Sequence, residues 1–389
     1  MSVNSMSFEQ SATLLNELRQ QVTGQKSAAP VNNGEFVSVG TTLLQNGYDP
    51  IINAITQMVS RTIFSIRPYS RKFPGLRVSE QRYGAITRKL NIADKPFEDN
   101  QAFELVDGQS IDQYKVDKPN ILQTNFYGAT MFAKKYTIFR DQLNSAFSGP
   151  DQFAEFMSMV TQNTLDMIEQ AHESMARLTL NNFILGKSDA NNGVINVITE
   201  YNADTHSSVT AQTVYEPANF PNFIRWLYAR IATLTTMLTE RTGEYQIQVT
   251  GKEVMRHTPL SRQKVYMMAP LLNEINARVL ADAYHTDFLR ISDVEGVNFW
   301  QAFDNPDTIT GKPTYLATDG TLTTPASDVT TTDVIGVIFD EEALGYAVVN
   351  QSADVTPFNA AGDYWNTYYK FVDKYWNDFT EKGVILKLA

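Results

Sequence analysis

The feature that most constrains this fold is a long, uninterrupted helical pattern that follows Ser148-Gly149-Pro150. Between residues 151 and 185 the chain has neither Gly nor Pro. Residues expected to face a core recur there with the period of an α-helix: Phe153, Phe156, Met157, Val160, Thr164, Met167, Ile168, Ala171, Met175 and Leu178. Such a helix would be roughly 50 Å long at 1.5 Å per residue, well above the usual length. The pattern keeps no strict heptad, so it predicts a helix that supports other layers, ended by Gly186, rather than a coiled coil.

Composition excludes several classes of protein. The 389 residues are 43% hydrophobic, which is enough for a large core in two linked domains or one elaborate one. The formal net charge of −11 argues against a nucleic-acid binder that works by neutralising phosphates. The chain has no cysteine, so disulfides, thiolate nucleophiles and Cys-ligated metals are impossible.

The sequence shows no pattern typical of a secretory signal or of a membrane span. Residues 1–21 lack the basic and apolar regions of a secretory signal. No window approaches the ~20 apolar residues that a membrane span needs. We therefore expect a soluble protein, made in a cytoplasm and without a membrane partner.

The N-terminal third combines helices with an extended region. The pattern of residues 7–22 predicts a short amphipathic helix, and residues 23–35 predict a linker after it. The helix is then either an arm tethered to the body or a frayed terminus. A second helix opens at Asp49-Pro50. Residues 77–93 and 124–138 have the pattern of strands around a polar middle of mixed charge. This arrangement predicts a long projecting hairpin.

The C-terminal half interleaves helices and strands without a regular βαβ repeat, which predicts an α+β fold. We expect strands in 194–215, 244–251 and 288–303, and helices in 217–241 and 261–285. A Thr-rich polar loop at 318–333 precedes a strand-rich C-terminal layer that begins at residue 334.

Few residues could carry chemistry. His172-Glu173-Ser174 begins like a zinc-binding helix motif, but Ala176 stands where the second histidine is needed. Gly186-Lys187-Ser188 resembles the end of a phosphate-binding loop, but it follows a helix instead of a strand. The cluster Asp340-Glu341-Glu342 is typical of a solvated turn. The histidines, expected to be packed or surface residues, are His172, His206, His257 and His285. We predict no catalytic residue, no cofactor and no metal site.

The C-terminal segment 359–379 contains eight aromatic rings in twenty-one residues. Alternation assigns the rings to two faces of a strand, Trp365, Tyr369, Phe371 and Tyr375 against Tyr364, Tyr368 and Trp376, with Val372 on the second face. A strand that is apolar on both faces must be covered on both, by the core and by a helix or a neighbouring subunit. A ligand cage would need rings on one exposed face beside polar partners. A helix also satisfies the spacing; we favour the strand, followed by a turn at 378–383.

Three stretches resemble the major capsid proteins of tailed bacteriophages, specifically those of small podoviruses with the Hong Kong 97-type fold. They are residues 118–143, 335–348 and 356–388. The order of segments along the chain also matches that family. The resemblance implies an N-terminal arm (1–48), a helix leading into the peripheral domain (49–67), an extended loop (68–135), a peripheral domain with a spine helix (136–189), an axial domain (190–335) and C-terminal peripheral strands (336–389).

The resemblance further implies a structural protein, not an enzyme, that assembles with itself into hexamers and pentamers of an icosahedral head in the host bacterial cytoplasm. A portal protein and a scaffold protein would be partners, and double-stranded DNA would be enclosed without sequence-specific binding. Arg and aromatic residues commonly anchor such interfaces. The candidate contact residues are Arg77, Arg82, Tyr83, Arg88, Phe97, Tyr114, Tyr364, Trp365, Tyr368, Tyr369, Tyr375 and Trp376.

Two other functions stay open on the sequence. A carbohydrate- or receptor-binding virion or tail protein would also be rich in aromatic rings and poor in catalytic motifs, but it would present a ring-lined groove. A hydrolase would need at least two titratable groups that converge in a pocket, and the sequence offers no pair to nominate.

Overall fold

The computed structural model describes residues 7–24, 28–59, 72–77, 86–95, 97, 107–108, 114, 116, 118–127, 130–278 and 294–389. The helices are α1 (Phe8–Thr23), α2 (Asn33–Gln45), α3 (Tyr48–Val59), α4 (Arg140–Ala146), α5 (Pro150–Asp189), α6 (Val197–Thr205), α7 (Phe220–Leu238) and α8 (Ala269–Arg278). The strands are β1 (Ile86–Ile92), β2 (Ile121–Tyr127), β3 (Thr130–Phe139), β4 (Val194–Asn196), β5 (Gln263–Met268), β6 (Val294–Val297), β7 (Ile309–Gly311), β8 (Tyr315–Leu316), β9 (Leu322–Thr323), β10 (Val329–Thr331), β11 (Val334–Asp340), β12 (Leu344–Val355), β13 (Tyr364–Asn377) and β14 (Gly383–Lys387). This mixture confirms the expected α+β class. Across these ranges, no helix is both long and apolar enough to cross a bilayer.

The larger core surrounds a five-stranded sheet in the order β4-β14-β11-β5-β6. The central strand β11 pairs antiparallel with β14 and β5, and the edge strands β4 and β6 add in parallel. Every residue of β11 is buried. The C-terminal half of α5 and the apolar side of α7 belong to the same core. A continuous apolar run such as VIGVIF is what a strand covered on both faces requires.

The second core lies on a three-stranded antiparallel sheet in the order β12-β13-β3. Residues of α1 to α4 and of the first turns of α5 pack together with β3 and β13 in this core. Trp365 of β13 is buried there; its Nε1 donates to Asp49 Oδ1 at 2.6 Å, and its ring stacks on Tyr48. The aromatic segment is therefore a strand, and the alternative of a helix is excluded.

The N-terminal helix α1 packs on this second core. Ser7 and Gln10 form a reciprocal capping box that satisfies two backbone N–H groups at the start of α1. Leu15 and Leu18 are fully buried. The predicted helix is confirmed, and burial of its apolar side excludes a frayed terminus for Phe8–Thr23.

Helix α5 connects the two cores, as its length predicts. Phe153 and Met157 near its start belong to the second core, and Leu180 and Phe183 near its end belong to the larger one. With 40 residues it is roughly 60 Å long.

The expectation that Gly186 ends α5 is wrong, because the helix continues to Asp189. Gly186 is needed inside the helix for close packing. A Cβ at this position would lie 2.7 Å from the ring of Phe379 and 3.0 Å from Cβ of Tyr315. The glycine thus marks a close contact with neighbouring rings instead of a helix end.

The strands predicted in 194–215 and 244–251 are wrong, except at residues 194–196, which form β4. Residues 197–205 form α6, because Val197, Ile198 and Tyr201 are buried together on one side of a helix. Residues 244–251 form turns: Tyr245 adopts a left-handed conformation with φ 63°, and its carbonyl accepts hydrogen bonds from the backbone N–H of Gly383 and from Lys187 Nζ. Contacts distant in sequence decide both segments.

The predicted helix at 261–285 is half wrong. Its first part is β5, which lies between β11 and β6 and is largely buried, and α8 follows it. Residues 279–285 of that segment lie outside the described residues, as do residues 288–293 of the strand expected at 288–303. The described part of that expected strand contains β6. The strand ends expected for the hairpin are confirmed by β1 and β2, which pair antiparallel from Ile86↔Tyr127 to Ile92↔Ile121.

Candidate subunit-contact surface

The hairpin β1–β2 has two different faces. Leu90 and Ile92 of β1 and Ile121 of β2 point to the same side, with side chains 64%, 66% and 52% exposed. Leu122, on the opposite side, is buried against the body of the protein. The exposed face therefore presents three aliphatic side chains to water, which is costly for a lone chain and typical of a surface that a partner covers.

Lys89 fastens the inner face of the hairpin to the body. Its Nζ lies 2.9 Å from Asp378 Oδ2 and 3.2 Å from Glu342 Oε2, and it also donates to Glu381 Oε1. Burial alone would lower the pKa of Lys89, but the carboxylates of Asp378 and Glu381 outweigh it and raise that pKa above its usual value. The hairpin is thus held in place by a charge cluster in which Arg256 also pairs with Glu381 at 3.2 Å.

The far end of the hairpin is held separately. Asp94 pairs with Arg241 and accepts a hydrogen bond from the backbone N–H of Met255 at 2.6 Å. Its own backbone N–H donates to the carbonyl of Glu253 at 2.8 Å. The loop between β1 and β2 therefore leaves the body beside residues 253–255.

A cleft of about 740 Å³ opens between the hairpin and the body. Six cationic side chains line it against three carboxylates, in a protein whose net charge is −11. Lys89 forms the ion pairs described above, and Arg262 forms ion pairs with Glu341 at 2.9 Å and with Glu342. The rings of Phe126 and Trp376 lie beside the charges. The cleft, called the cationic cleft below, is lined by Gly75, Arg77, Arg88, Lys89, Phe126, Arg262, Lys264, Glu341, Glu342, Lys374, Trp376 and Asp378.

The structure brings three of the candidate contact residues together in this cleft. Arg77, Arg88 and Trp376 come from three separate segments of the chain. Of the loop candidates, Phe97 is fully exposed and Tyr114 is 80% exposed.

The remaining candidates are divided between surface and core. Tyr364, Tyr368 and Tyr375 are half-buried on β13. Trp365 and Tyr369 are buried within the second core, so their rings contact the chain's own residues. Arg82 and Tyr83 lie outside the described residues. The contact role of every candidate stays a prediction.

Sequence reasoning missed the lysines that complete the cationic cleft. Lys264 lies on β5 and Lys374 on β13, and apolar residues follow each of them in sequence. A lysine inside an apolar strand is a signal that can be seen in the sequence. Their convergence with Arg77 and Arg88 depends on strand order, which the sequence does not reveal.

The histidines have the packed or surface positions expected of them where the structure describes them. His172 is packed: its side chain is 2% exposed, and Nε2 lies 2.8 Å from Asp373 Oδ2. His206 and His257 are at the surface, and His285 lies outside the described residues. Of the cluster at 340–342, Glu341 and Glu342 are exposed in the turn between β11 and β12, whereas Asp340 ends β11 and is buried, so the expected solvated turn is wrong for Asp340. In the described ranges, no three His, Asp or Glu side chains converge as metal ligands would.

Two sheets joined by one long helix, with a hairpin fastened to their surface, define the Hong Kong 97-type fold. Two solved structures share this fold. One is the capsid structure of Staphylococcus phage Andhra, with a TM-score of 0.53, 10% identity and coverage of 85% of this chain and 87% of that chain. The other is the structure of the head fiber and inner core protein gp22 of native bacteriophage P68, with a TM-score of 0.54, 10% identity and coverage of 85% and 87%.

The family follows from the sequence match. The model of the Phi29-like phage major capsid protein matches residues 13–379, so the chain belongs to that family. No curated protein matches the chain. The protein is therefore a structural component of a bacteriophage capsid, as the resemblance implied, and the alternative of a receptor-binding protein is not favoured.

Proposed function

We propose that this subunit builds a closed icosahedral head from hexamers and pentamers, in which the β1–β2 hairpin of one subunit packs on its neighbour. The observation that carries the proposal is the exposed aliphatic face formed by Leu90, Ile92 and Ile121. Burying such side chains is favourable by about 1.5–3 kcal/mol each when burial is complete. A contact of one patch with a different patch closes into rings, which is the geometry that a shell needs.

The same proposal assigns the parts of the subunit. Residues 68–135 form the extended loop, α5 is the spine of the peripheral domain, residues 190–335 form the axial domain, and the strands at 336–389 complete the peripheral domain. The head encloses double-stranded DNA without sequence-specific contacts, since the net charge of −11 disfavours tight phosphate binding. A portal and a scaffold protein are the expected partners during assembly in the host cytoplasm, and the role is structural rather than catalytic.

The test compares assembly of two variants of the hairpin face. The double variant Leu90→Lys/Ile92→Lys places charge on the exposed face, where the monomer has room for it, and we expect a folded subunit that no longer forms shells. The control Leu90→Met/Ile92→Val keeps the face apolar and should assemble like the wild type. Negative-stain electron microscopy and size-exclusion chromatography, with and without a candidate scaffold, give the readout. A wild-type subunit that stays monomeric in both conditions, or a lysine variant that forms normal shells, would contradict the proposal.

A further inference from the structure

The cationic cleft has a charge that is unusual for this protein. Six Lys and Arg residues line it beside three carboxylates, although the whole chain carries 43 acidic and 32 basic residues. Two further carboxylates, Glu381 and Asp340, pair with Lys89 and Arg262 from outside the lining. Arg88 on the hairpin and Lys264 on the central sheet both line the cleft. Phe126 and Trp376 add aromatic surface. A ligand that suits these walls carries several negative charges together with apolar or aromatic groups.

The chain itself contains a segment of that chemistry. Residues 98–114, in the loop between β1 and β2, include five carboxylates and neither Lys nor Arg. Aromatic residues accompany them: Phe97 immediately before the segment, Phe103 within it and Tyr114 at its end. Phe97 and Tyr114 expose their side chains to solvent in the single chain. The five carboxylates belong to Glu98, Asp99, Glu104, Asp107 and Asp112.

We propose that the cationic cleft of one subunit binds the acidic segment 98–114 of a second copy of this chain. Opposite charges attract the segment into the cleft and determine where it lies, and the rings can pack on Phe126 and Trp376 or face the Arg side chains. The inference rests on the proposed function, since it names what the hairpin of a neighbouring subunit delivers. It adds the chemical basis of the contact and the residues that receive it.

A second copy suits the cleft better than the chain's own loop. Arg88 and Phe126 line the cleft, whereas the loop begins after Ile92, four residues or roughly 13 Å further along the strand. Asp94 fastens the start of that loop beside residues 253–255. The experiment must still distinguish binding of a second copy's segment from binding of the chain's own loop.

A charge swap in the full-length protein provides the test. The cleft variant is Arg88→Glu/Lys264→Glu, the loop variant is Glu98→Lys/Asp99→Lys, and a combined variant carries all four changes. We expect each double variant to assemble at least about tenfold more slowly than the wild type at low salt, and the combined variant to recover most of the rate. Light scattering follows assembly, and electron microscopy identifies the products. The control Lys118→Glu/Lys252→Glu reverses two exposed charges outside the cleft and should assemble normally.

Mixing experiments separate the two possible sources of the acidic segment. A mixture of the cleft variant and the loop variant contains one complementary contact between different molecules, so partial recovery in the mixture supports a contact between copies. Recovery in the combined variant without recovery in the mixture would instead assign the cleft to the chain's own loop and overturn the inference. Normal assembly of the cleft variant would overturn it too, while assembly of the wild type would keep the proposed function intact. If the cleft variant does not fold, as judged by circular dichroism, the loop variant and the salt dependence of its assembly carry the test.

Discussion

At the scale of single residues, Lys187 shows how this fold accommodates a charge-bearing group in its interior. The side chain is fully buried near the end of α5, and its Nζ donates to Asn192 Oδ1 at 2.8 Å and to the carbonyl of Tyr245 at 2.7 Å. These bonds link the end of α5 to the turn at residues 244–251. Burial lowers the pKa of Lys187 to about 7, and the more distant Asp378 opposes that change only in part.

The lowered pKa predicts a pH-dependent stability with a definite sign. Between pH 7 and the ordinary lysine value of 10.5, the unfolded chain holds a proton at Lys187 that the folded protein releases. The contribution of Lys187 to the free energy of unfolding is therefore complete above pH 10.5. It is lost as pH falls toward 7, with a slope of roughly 1.4 kcal/mol per pH unit. We expect Lys187→Met to remove that slope. The unfolding free energy of the wild type minus that of the variant should therefore rise with pH. Urea unfolding at pH 7, 8 and 9 measures it; a difference independent of pH would contradict the prediction.

Gly186, one residue earlier, shows why some local signals mislead. Gly is the commonest residue just beyond a helix end, so a Gly after a long helical pattern favours a stop. Here the ring of Phe379 occupies the space that a Cβ would need. Because Phe379 is almost two hundred residues away in sequence, only the folded structure distinguishes the two causes.

At the scale of elements, the sequence predicts best where one periodicity runs over many residues. The helix α5 and the strand β13 both follow from their spacing, and β13 alternates between buried and half-buried residues over most of its length. The sequence fails for α6, for β5 and for the turns at 244–251, which are short or decided by distant partners. Of the candidate surface, the exposed arginines and rings could be nominated, but the cationic cleft required the order of the strands.

The packing of α1 gives a prediction at this scale. Leu15 is fully buried in the second core, whereas Glu17 on the same helix is exposed. If α1 is part of the folded subunit, Leu15→Ala leaves a cavity and lowers the free energy of unfolding by about 2–4 kcal/mol. The control Glu17→Ala should change it by less than about 0.5 kcal/mol. Chemical denaturation of the monomer measures both, and equal effects of the two substitutions would show that α1 is detached from the core in solution.

At the scale of the whole molecule, the hairpin is positioned before any partner arrives. Lys89 at its centre and Asp94 at its end bind two different parts of the body. A segment ordered in advance loses less conformational entropy when it binds, so more of the contact energy remains for association. The charge cluster around Lys89 should therefore influence both the stability of the subunit and the rate at which shells form.

Replacing Lys89 tests this link. Asp378 and Glu381 are nearly buried, with side chains 1% and 6% exposed, so Lys89→Met leaves two carboxylates without their main cation. Removing one member of a buried pair typically costs 3–5 kcal/mol; since Lys89 is itself partly exposed and Arg256 still pairs with Glu381, we expect about 2 kcal/mol. Hydrogen exchange should show faster opening of β1 and β2, and assembly should slow in parallel. The control Lys118→Met removes an exposed lysine near the same hairpin and should change neither quantity.

A second-site change decides whether charge is the cause. In Lys89→Met/Glu381→Gln, one of the two carboxylates that have lost Lys89 becomes a neutral amide. Part of the lost stability and part of the hairpin's protection from hydrogen exchange should then return. If both return and assembly stays slow, Lys89 contacts the neighbouring subunit directly instead of positioning the hairpin. If assembly recovers together with protection, the position of the hairpin in the free subunit governs how fast the shell closes. Unchanged hydrogen exchange in Lys89→Met itself would show that the rest of the hairpin's contacts suffice to hold it, and the charge cluster would then have no part in assembly.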